Sequence, residues 1–187
     1  MTEPMKVIVI TGTPASGKTT IADKVAKRIG DAEVIHANDI VRSKRLFTAY
    51  ARDGAMLAQM GKLKKELEKR IRSSKKGVVI VEGHLLCDMR IRKAIAIVVR
   101  EHLRVLEGRM EKRGYAVSKI KENIISEAID YCGISAQKNY GQVFEIMNGK
   151  RAVSEVTSLI KGMKTTKNGI EMLNELVEFT KREGWNL

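Results

Sequence analysis

Apolar residues fall in two rhythms along this chain, and their alternation predicts the fold. Val7-Ile8-Val9-Ile10, Val78-Val79-Ile80-Val81 and Ala94-Ile95-Ala96-Ile97-Val98-Val99 are unbroken runs, the pattern of parallel strands buried on both faces. Glu33–His36 and Val143–Met147 predict two further strands. Between the runs, apolar residues recur every three or four positions, as a helix packing one face requires. Ile21 to Ile29 forms one such helix, with Gly30 as its stop; Asn38 or Asp39 caps a short one running to about Leu46. Tyr50–Gly54 has a loop composition, and a long helix is predicted from Ala55 to Arg72 through Met56, Met60, Leu63, Leu67 and Ile71. Another spans Leu103–Lys112 and stops at Gly114. Ser118 caps the next, carried through Ile125, Ala128, Ile129, Cys132 and Ala136 to about Asn139 because Gly133 lies off the apolar stripe. Helices over Ala152–Lys161 and Gly169–Arg182, joined by the polar stretch Met163–Asn168, complete the chain.

Strands alternating with helices mean an α/β fold with a parallel sheet covered on both faces. Ligands of such sheets bind outside the carboxyl ends of the strands. That rule gathers Gly12–Thr19, His36–Asp39, Glu82–His84 and Arg100 at one edge.

The first of these groups carries the chemistry. Gly12-Thr13-Pro14-Ala15-Ser16-Gly17-Lys18-Thr19 matches the phosphate-binding loop G-x-x-x-x-G-K-[ST], and it stands where the motif requires, between a strand and a helix. Its glycines let successive N–H groups turn inward toward phosphate oxygens, and the helix N-terminus adds positive potential. Lys18 is placed to reach the β- and γ-phosphates of ATP, and the Thr19 hydroxyl to ligate Mg2+. The nucleotide-contacting set is taken as Gly12, Pro14, Ala15, Ser16, Gly17, Lys18, Thr19 and Thr20, with Arg113 and Lys150 from later in the chain.

Phosphoryl transfer needs a carboxylate near the metal and cations around the moving charge. Glu82, ending an apolar strand, is the expected second metal group, and His84 points the same way if the extended geometry continues. His84 could orient or deprotonate a water, or touch an acceptor phosphate; His36 divides evenly between structural and functional readings, and His102 is expected at the surface. Asp39 and Arg42 are placed on the acceptor side, with Arg45 nearby. Arg109 and Arg113 stand four apart on one helix beside Gly114, where a hinging helix end would carry both to the phosphates. No N-K-x-D guanine pattern is present, which disfavours a general GTPase.

Composition narrows the setting. At 187 residues the chain suits one domain, and no apolar run approaches membrane-spanning length, so no membrane partner is expected. The start Met1-Thr2-Glu3-Pro4 lacks a signal-peptide layout, and Cys87 and Cys132 have no metal-ligand spacing; free thiols in a cytoplasmic, reducing compartment are expected. Thirty-five Lys and Arg against 22 Asp and Glu leave a formal charge of +13, which favours polyanionic partners. Against RNA stands an aromatic content of only 4%, which leaves few rings for base stacking. The charged helix face at Lys62, Lys64, Lys65 and Lys69 is expected to be solvated.

The motifs together resemble the adenylate kinase isoenzyme 6 family, the coilin-interacting nuclear ATPase type, and especially its archaeal members. The likeness runs from Val7 to about Ile146 and rests on the loop Gly12–Thr20, on Asn38-Asp39-Ile40-Val41-Arg42, on Val79-Ile80-Val81-Glu82-Gly83-His84 and on Arg109-Met110-Glu111-Lys112-Arg113-Gly114-Tyr115. Where the eukaryotic pattern has Asp, this chain has Glu82. The resemblance implies a P-loop NTPase fold of the nucleoside monophosphate kinase type, a three-layer sandwich on a five-stranded parallel sheet. It implies a single domain over 1–187, with an acceptor-binding insert near 34–55 and a small lid near 112–122. It implies Mg2+-dependent, reversible transfer of the γ-phosphoryl of ATP to AMP, with some ATP hydrolysis. It also implies a part in small ribosomal subunit maturation, with a small-subunit ribosomal protein and pre-ribosomal RNA as partners. The alternative is an ATPase switch acting on such a partner with little nucleotide kinase activity; a different small-molecule kinase is a third reading.

Overall fold

The computed structural model describes residues 4–50, 56–162 and 170–184. Five strands, β1 (Lys6–Thr11), β2 (Ala32–His36), β5 (Val78–Glu82), β6 (Ala94–Arg100) and β7 (Val143–Met147), form a parallel sheet in the order β2-β5-β1-β6-β7. β1, β5 and β6 lie on the three unbroken runs, and β2 and β7 on the two further predicted strands.

The runs are unbroken because both faces are covered. Val7, Val9, Val79, Val81, Ala96 and Val98 pack in one core with helices α2 (Ala37–Ser43), α3 (Met60–Ser73) and α6 (Tyr131–Asn139). Their neighbours Ile8, Ile10, Val78, Ile80, Ile97 and Val99 point the other way, into a core with α1 (Lys18–Ile29) and α7 (Ala152–Ile160). Alternate residues of each strand thus serve opposite layers, and in β5 and β6 the buried polar side chains, Glu82 and Arg100, come only at the carboxyl end. A third core joins α4 (Leu103–Lys112), α5 (Val117–Ala128) and α8 (Leu173–Glu183) through Leu106, Met110, Ile124, Leu176 and Phe179, and reaches Ala15 of the loop after β1. Among the described residues no helix is long and apolar enough to cross a membrane.

Two expectations on local structure are corrected. The long helix begins at Met60 rather than Ala55: Met56–Ala58 is strand β4, paired antiparallel with β3 (Phe47–Tyr50). Of the loop expected at Tyr50–Gly54, Tyr50 ends β3, and 51–54 lie outside the described residues, as does the stretch Met163–Asn168. The helix expected to run unbroken to Asn139 is two helices. Asp130 adopts a left-handed conformation (φ 55°), and its carboxylate accepts from the Gly133 amide at 3.1 Å, capping α6. Asp is a favoured N-cap because its carboxylate can accept from the third helical amide, and that local bond outweighs apolar periodicity here. The break turns Ile129 outward, 49% exposed, whereas the continuous stripe required it buried.

Candidate active site

The phosphate-binding loop occupies 12–17, between β1 and α1. A Cβ on Gly12 (φ 139°) would meet the Val99 carbonyl oxygen at 2.4 Å, so only glycine permits the loop to lie this close to β6. Lys18 is 6% exposed and donates through Nζ to the Thr13 carbonyl at 2.8 Å, folding back over its own loop. Burial pushes its pKa down, opposed by the carboxylates of Glu82 and Glu127. The Ser16 hydroxyl is the one side-chain polar atom among the described residues that is buried with no hydrogen-bond partner. A buried hydroxyl with no protein partner in such a loop suits a phosphate oxygen as its acceptor.

A cavity of about 470 Å³ opens over the loop at the C-terminal edge of the sheet, a volume suited to a small ligand. It brings together Pro14, Ala15, Gly17, Lys18, Thr19, Thr20, Arg42, Glu82, His84 and Arg113 of the expected set. Asn38, gathered at this edge with His36–Asp39, lines it as well, as do Tyr115 and Lys119, which fall in the expected lid but were given no individual role. Asn38 was within reach of its neighbour Asp39; Lys119 carried no signal beyond its place one residue past Ser118. The Asp39 side chain, by contrast, is exposed on α2 and does not line the cavity, and Lys150 is exposed in the turn after β7.

Glu82 ends β5 and is only 4% exposed. Its Oε2 lies 3.1 Å from His36 Nδ1. His84 opens a short 3-10 turn (His84–Asp88), and its pKa is lowered to about 4 by burial first, then by Lys18 and Lys119. The ring is therefore neutral near pH 7, and the same surroundings that keep it so make it a weak base. Mg2+ takes one or two protein oxygens and fills its shell with water and phosphate oxygens. The Thr19 hydroxyl and Glu82 carboxylate, facing one cavity beside a phosphate loop, are donors of that kind.

The two arginines of α4 part company. Arg113 caps the helix and lines the cavity. Arg109 turns to the back of the loop, where Nη1 donates to the Ala15 carbonyl at 3.0 Å and pairs with Glu101 at 2.8 Å. Asn148 joins them, donating to the Ser16 carbonyl at 2.9 Å and to Glu101 at 2.8 Å. Together they brace the loop from behind.

Arg100 is a correction. Expected at the site's edge, it is 1% exposed and fully engaged: Nε with Glu127 at 3.0 Å, Nη1 with Asp130 at 2.8 Å and Glu145 at 3.1 Å. Glu127 also accepts from the Thr13 hydroxyl and, at 2.9 Å, from the Glu101 amide. His102, as expected, is at the surface, 3.3 Å from Glu175. A second cleft of about 490 Å³, at the opposite edge of the sheet near Lys6, Asp31, Lys76 and Lys161, contains none of the expected catalytic groups.

Comparison with known proteins bears on the family and the fold. Residues 8–130 match the AAA domain family. A protein of Methanosarcina barkeri named "Putative adenylate kinase" is 33% identical over 81% of this chain and 82% of its own. One of the same name from Methanothermobacter thermautotrophicus is 36% identical over 82% of this chain and 86% of its own. Among solved structures, a shikimate kinase from Acinetobacter baumannii superposes with a TM-score of 0.59 at 14% identity, over 86% of this chain and 95% of that one, a likeness of fold alone. The chain matches the AAA domain family over 8–130 and belongs, with these archaeal relatives, to an adenylate kinase-like family.

Proposed function

We propose that this protein is a Mg2+-dependent adenylate kinase that moves the γ-phosphoryl of ATP reversibly to AMP, giving two ADP. The observation that carries the reading is the single cavity joining Lys18, Thr19 and Glu82 on one side to Asn38 and Arg42 on the other, with Arg113 beside them. The loop amides, Lys18 and the Ser16 hydroxyl hold the triphosphate of ATP, with Gly12–Thr20 as its cradle. Thr19 and Glu82 hold Mg2+, which when bound neutralises charge on the transferring group. Arg42 and, at the rim, Asp39 bind the acceptor; Arg113 stabilises the moving phosphoryl; Arg109 keeps the loop in shape, and Lys150 borders the donor nucleotide. In this reading residues near 34–55 form the acceptor-binding insert and those near 112–122 the lid of one domain over 1–187.

The place of His84 in the wall of the same cavity supports a second activity there. A ring nitrogen facing the phosphates could orient an attacking water by hydrogen bonding, so some ATP hydrolysis would accompany transfer. The isoenzyme 6 assignment, and with it a role in small ribosomal subunit maturation with a ribosomal protein and pre-ribosomal RNA, draws support from the Glu82-Gly83-His84 element and the +13 charge. The free thiols suit a cytoplasmic location.

The test is ADP production from MgATP with and without AMP, beside Lys18→Ala. Two ADP per AMP consumed, lost in the variant, is the expected result. Slow hydrolysis indifferent to AMP would overturn the kinase reading in favour of the ATPase switch.

A further inference from the structure

Glu82 does not stand alone at the strand edge. His36 ends the neighbouring strand β2, and the two residues are register partners in the β2–β5 pair. His36 Nδ1 lies 3.1 Å from Glu82 Oε2, and on the far side of the ring Nε2 lies 3.4 Å from Asp23 Oδ1. Asp23 stands on α1, four residues beyond Thr19, so the helix that supplies the Thr19 hydroxyl also supplies the outer end of this chain of groups. Exposure falls inward along it: the side chains of Asp23, His36 and Glu82 are 47%, 27% and 6% exposed.

We propose that His36 is a positioning residue for Glu82, and that Asp23 in turn fixes the His36 ring. Glutamate has one more rotatable bond than aspartate, so its carboxylate can reach a given point from several rotamers. A donor fixed on the adjacent strand removes that freedom. With an N–H on each ring nitrogen, His36 would donate to Glu82 Oε2 on one side and to Asp23 Oδ1 on the other, and Glu82 Oε1 would remain available to the cation. Outer partners of this kind orient metal-holding carboxylates and histidines, and their loss typically weakens metal binding by about 10- to 100-fold. The inference rests on the assignment of Glu82 to Mg2+ made above.

Mn2+ is the probe, its affinity for the complex of the full chain with a non-hydrolysable ATP analogue read by electron paramagnetic resonance. His36→Leu is expected to weaken Mn2+ binding about ten-fold, in line with such outer-partner losses. It is also expected to raise the Mg2+ concentration needed for half-maximal rate, with the KM for ATP unchanged at saturating Mg2+. His36→Asn, whose side-chain N–H falls near the position of Nδ1, is expected to restore most of the affinity. Unchanged Mn2+ affinity in His36→Leu, together with weakened binding in Glu82→Gln, overturns the positioning role and leaves the metal assignment standing. Unchanged affinity in Glu82→Gln overturns the metal assignment itself. Should His36→Leu fail to fold, Asp23→Ala at its exposed helix position decides the matter, and parent-like affinity there overturns the proposal.

Discussion

Arg100 of β6 and Glu127 of α5 form an ion pair at 3.0 Å in which each side chain is only 1% exposed. Since Glu127 also accepts from the Thr13 hydroxyl, the phosphate loop is tied through this pair to the interior of the molecule. Removing one partner of a buried pair leaves an uncompensated charge and costs about 3–5 kcal/mol. Arg100→Ala is expected to lose that much in urea denaturation; a loss below about 1 kcal/mol, the level of a surface pair, would show the network to be incidental.

Asp130 gives stability a particular pH dependence. Its pKa is raised from 3.8 to about 6, chiefly by burial, with Glu145 and Glu127 adding and Arg100 opposing. The folded state therefore holds this proton more tightly than the unfolded chain does. The group's stabilising contribution is complete below about pH 4 and is lost as pH rises through about 6. Asp130→Asn keeps an acceptor for Gly133 and removes the titration. Relative to the parent, its stability is expected to improve between pH 4 and pH 7, measured as the difference between two denaturation series.

Two helix glycines should respond oppositely to the same change. At Gly108 in α4 a Cβ meets nothing within 4 Å, so Gly108→Ala is expected to stabilise by about 0.5–1 kcal/mol through helix propensity alone. At Gly133 the Cβ would sit 2.3 Å from an Asp130 carboxylate oxygen. Gly133→Ala is expected to destabilise despite the better propensity, and a rise in its thermal midpoint would contradict the described cap.

Lys18 separates function from folding. Its charge is buried, so Lys18→Met removes a desolvated ammonium and keeps most of the packing. ADP formation is expected to fall at least about 100-fold, the usual cost of losing a preorganised charge-stabilising donor. The thermal midpoint should not fall. A midpoint lowered in step with activity would assign Lys18 a structural task.

The two buried cysteines are far apart in sequence, yet Cys87 Sγ and Cys132 Sγ lie 3.5 Å apart. A thiol-disulfide reagent such as DTNB is expected to label the native protein slowly and the urea-unfolded chain at once. Rapid labelling of the native protein would mean that this part of the core opens readily.

What could be read in advance follows from range. The three inner strands and the phosphate loop were legible because a strand buried on both faces is nearly all apolar, and because Gly12–Thr19 is a local motif; the edge strands β2 and β7 carry charges and were read from shorter apolar stretches. Glu82 and His84 followed from the rule that parallel sheets bind at their carboxyl ends. The β3–β4 hairpin was hidden because Met56 and Met60 happen to share helical spacing. Arg100 misled for a different reason: a charge ending an apolar strand reads as a ligand group until its partners are known. Those partners, Glu127, Asp130 and Glu145, come from two other elements and the turn between a pair of helices. Nor could the spacing of Arg109 and Arg113 say that a helix end sends one into the cavity and the other behind the loop.

The same ion-pair node bears on how the molecule could be dissected. The Ile170 amide donates to Glu145 at 3.1 Å, and its carbonyl accepts from Arg100 at 3.4 Å; Met172, Leu176 and Phe179 then fill the third core. A chain cut after Gly162 would keep the whole sheet, the phosphate loop and the full span matched by the AAA domain family, 8–130. It would nonetheless remove Met172, Leu176 and Phe179 from the core that they share with Leu106, Met110 and Ala15. The smallest autonomous unit of this protein is thus larger than its most recognisable segment, and a minimal nucleotide-binding fragment drawn along the motif boundaries is expected to aggregate rather than fold.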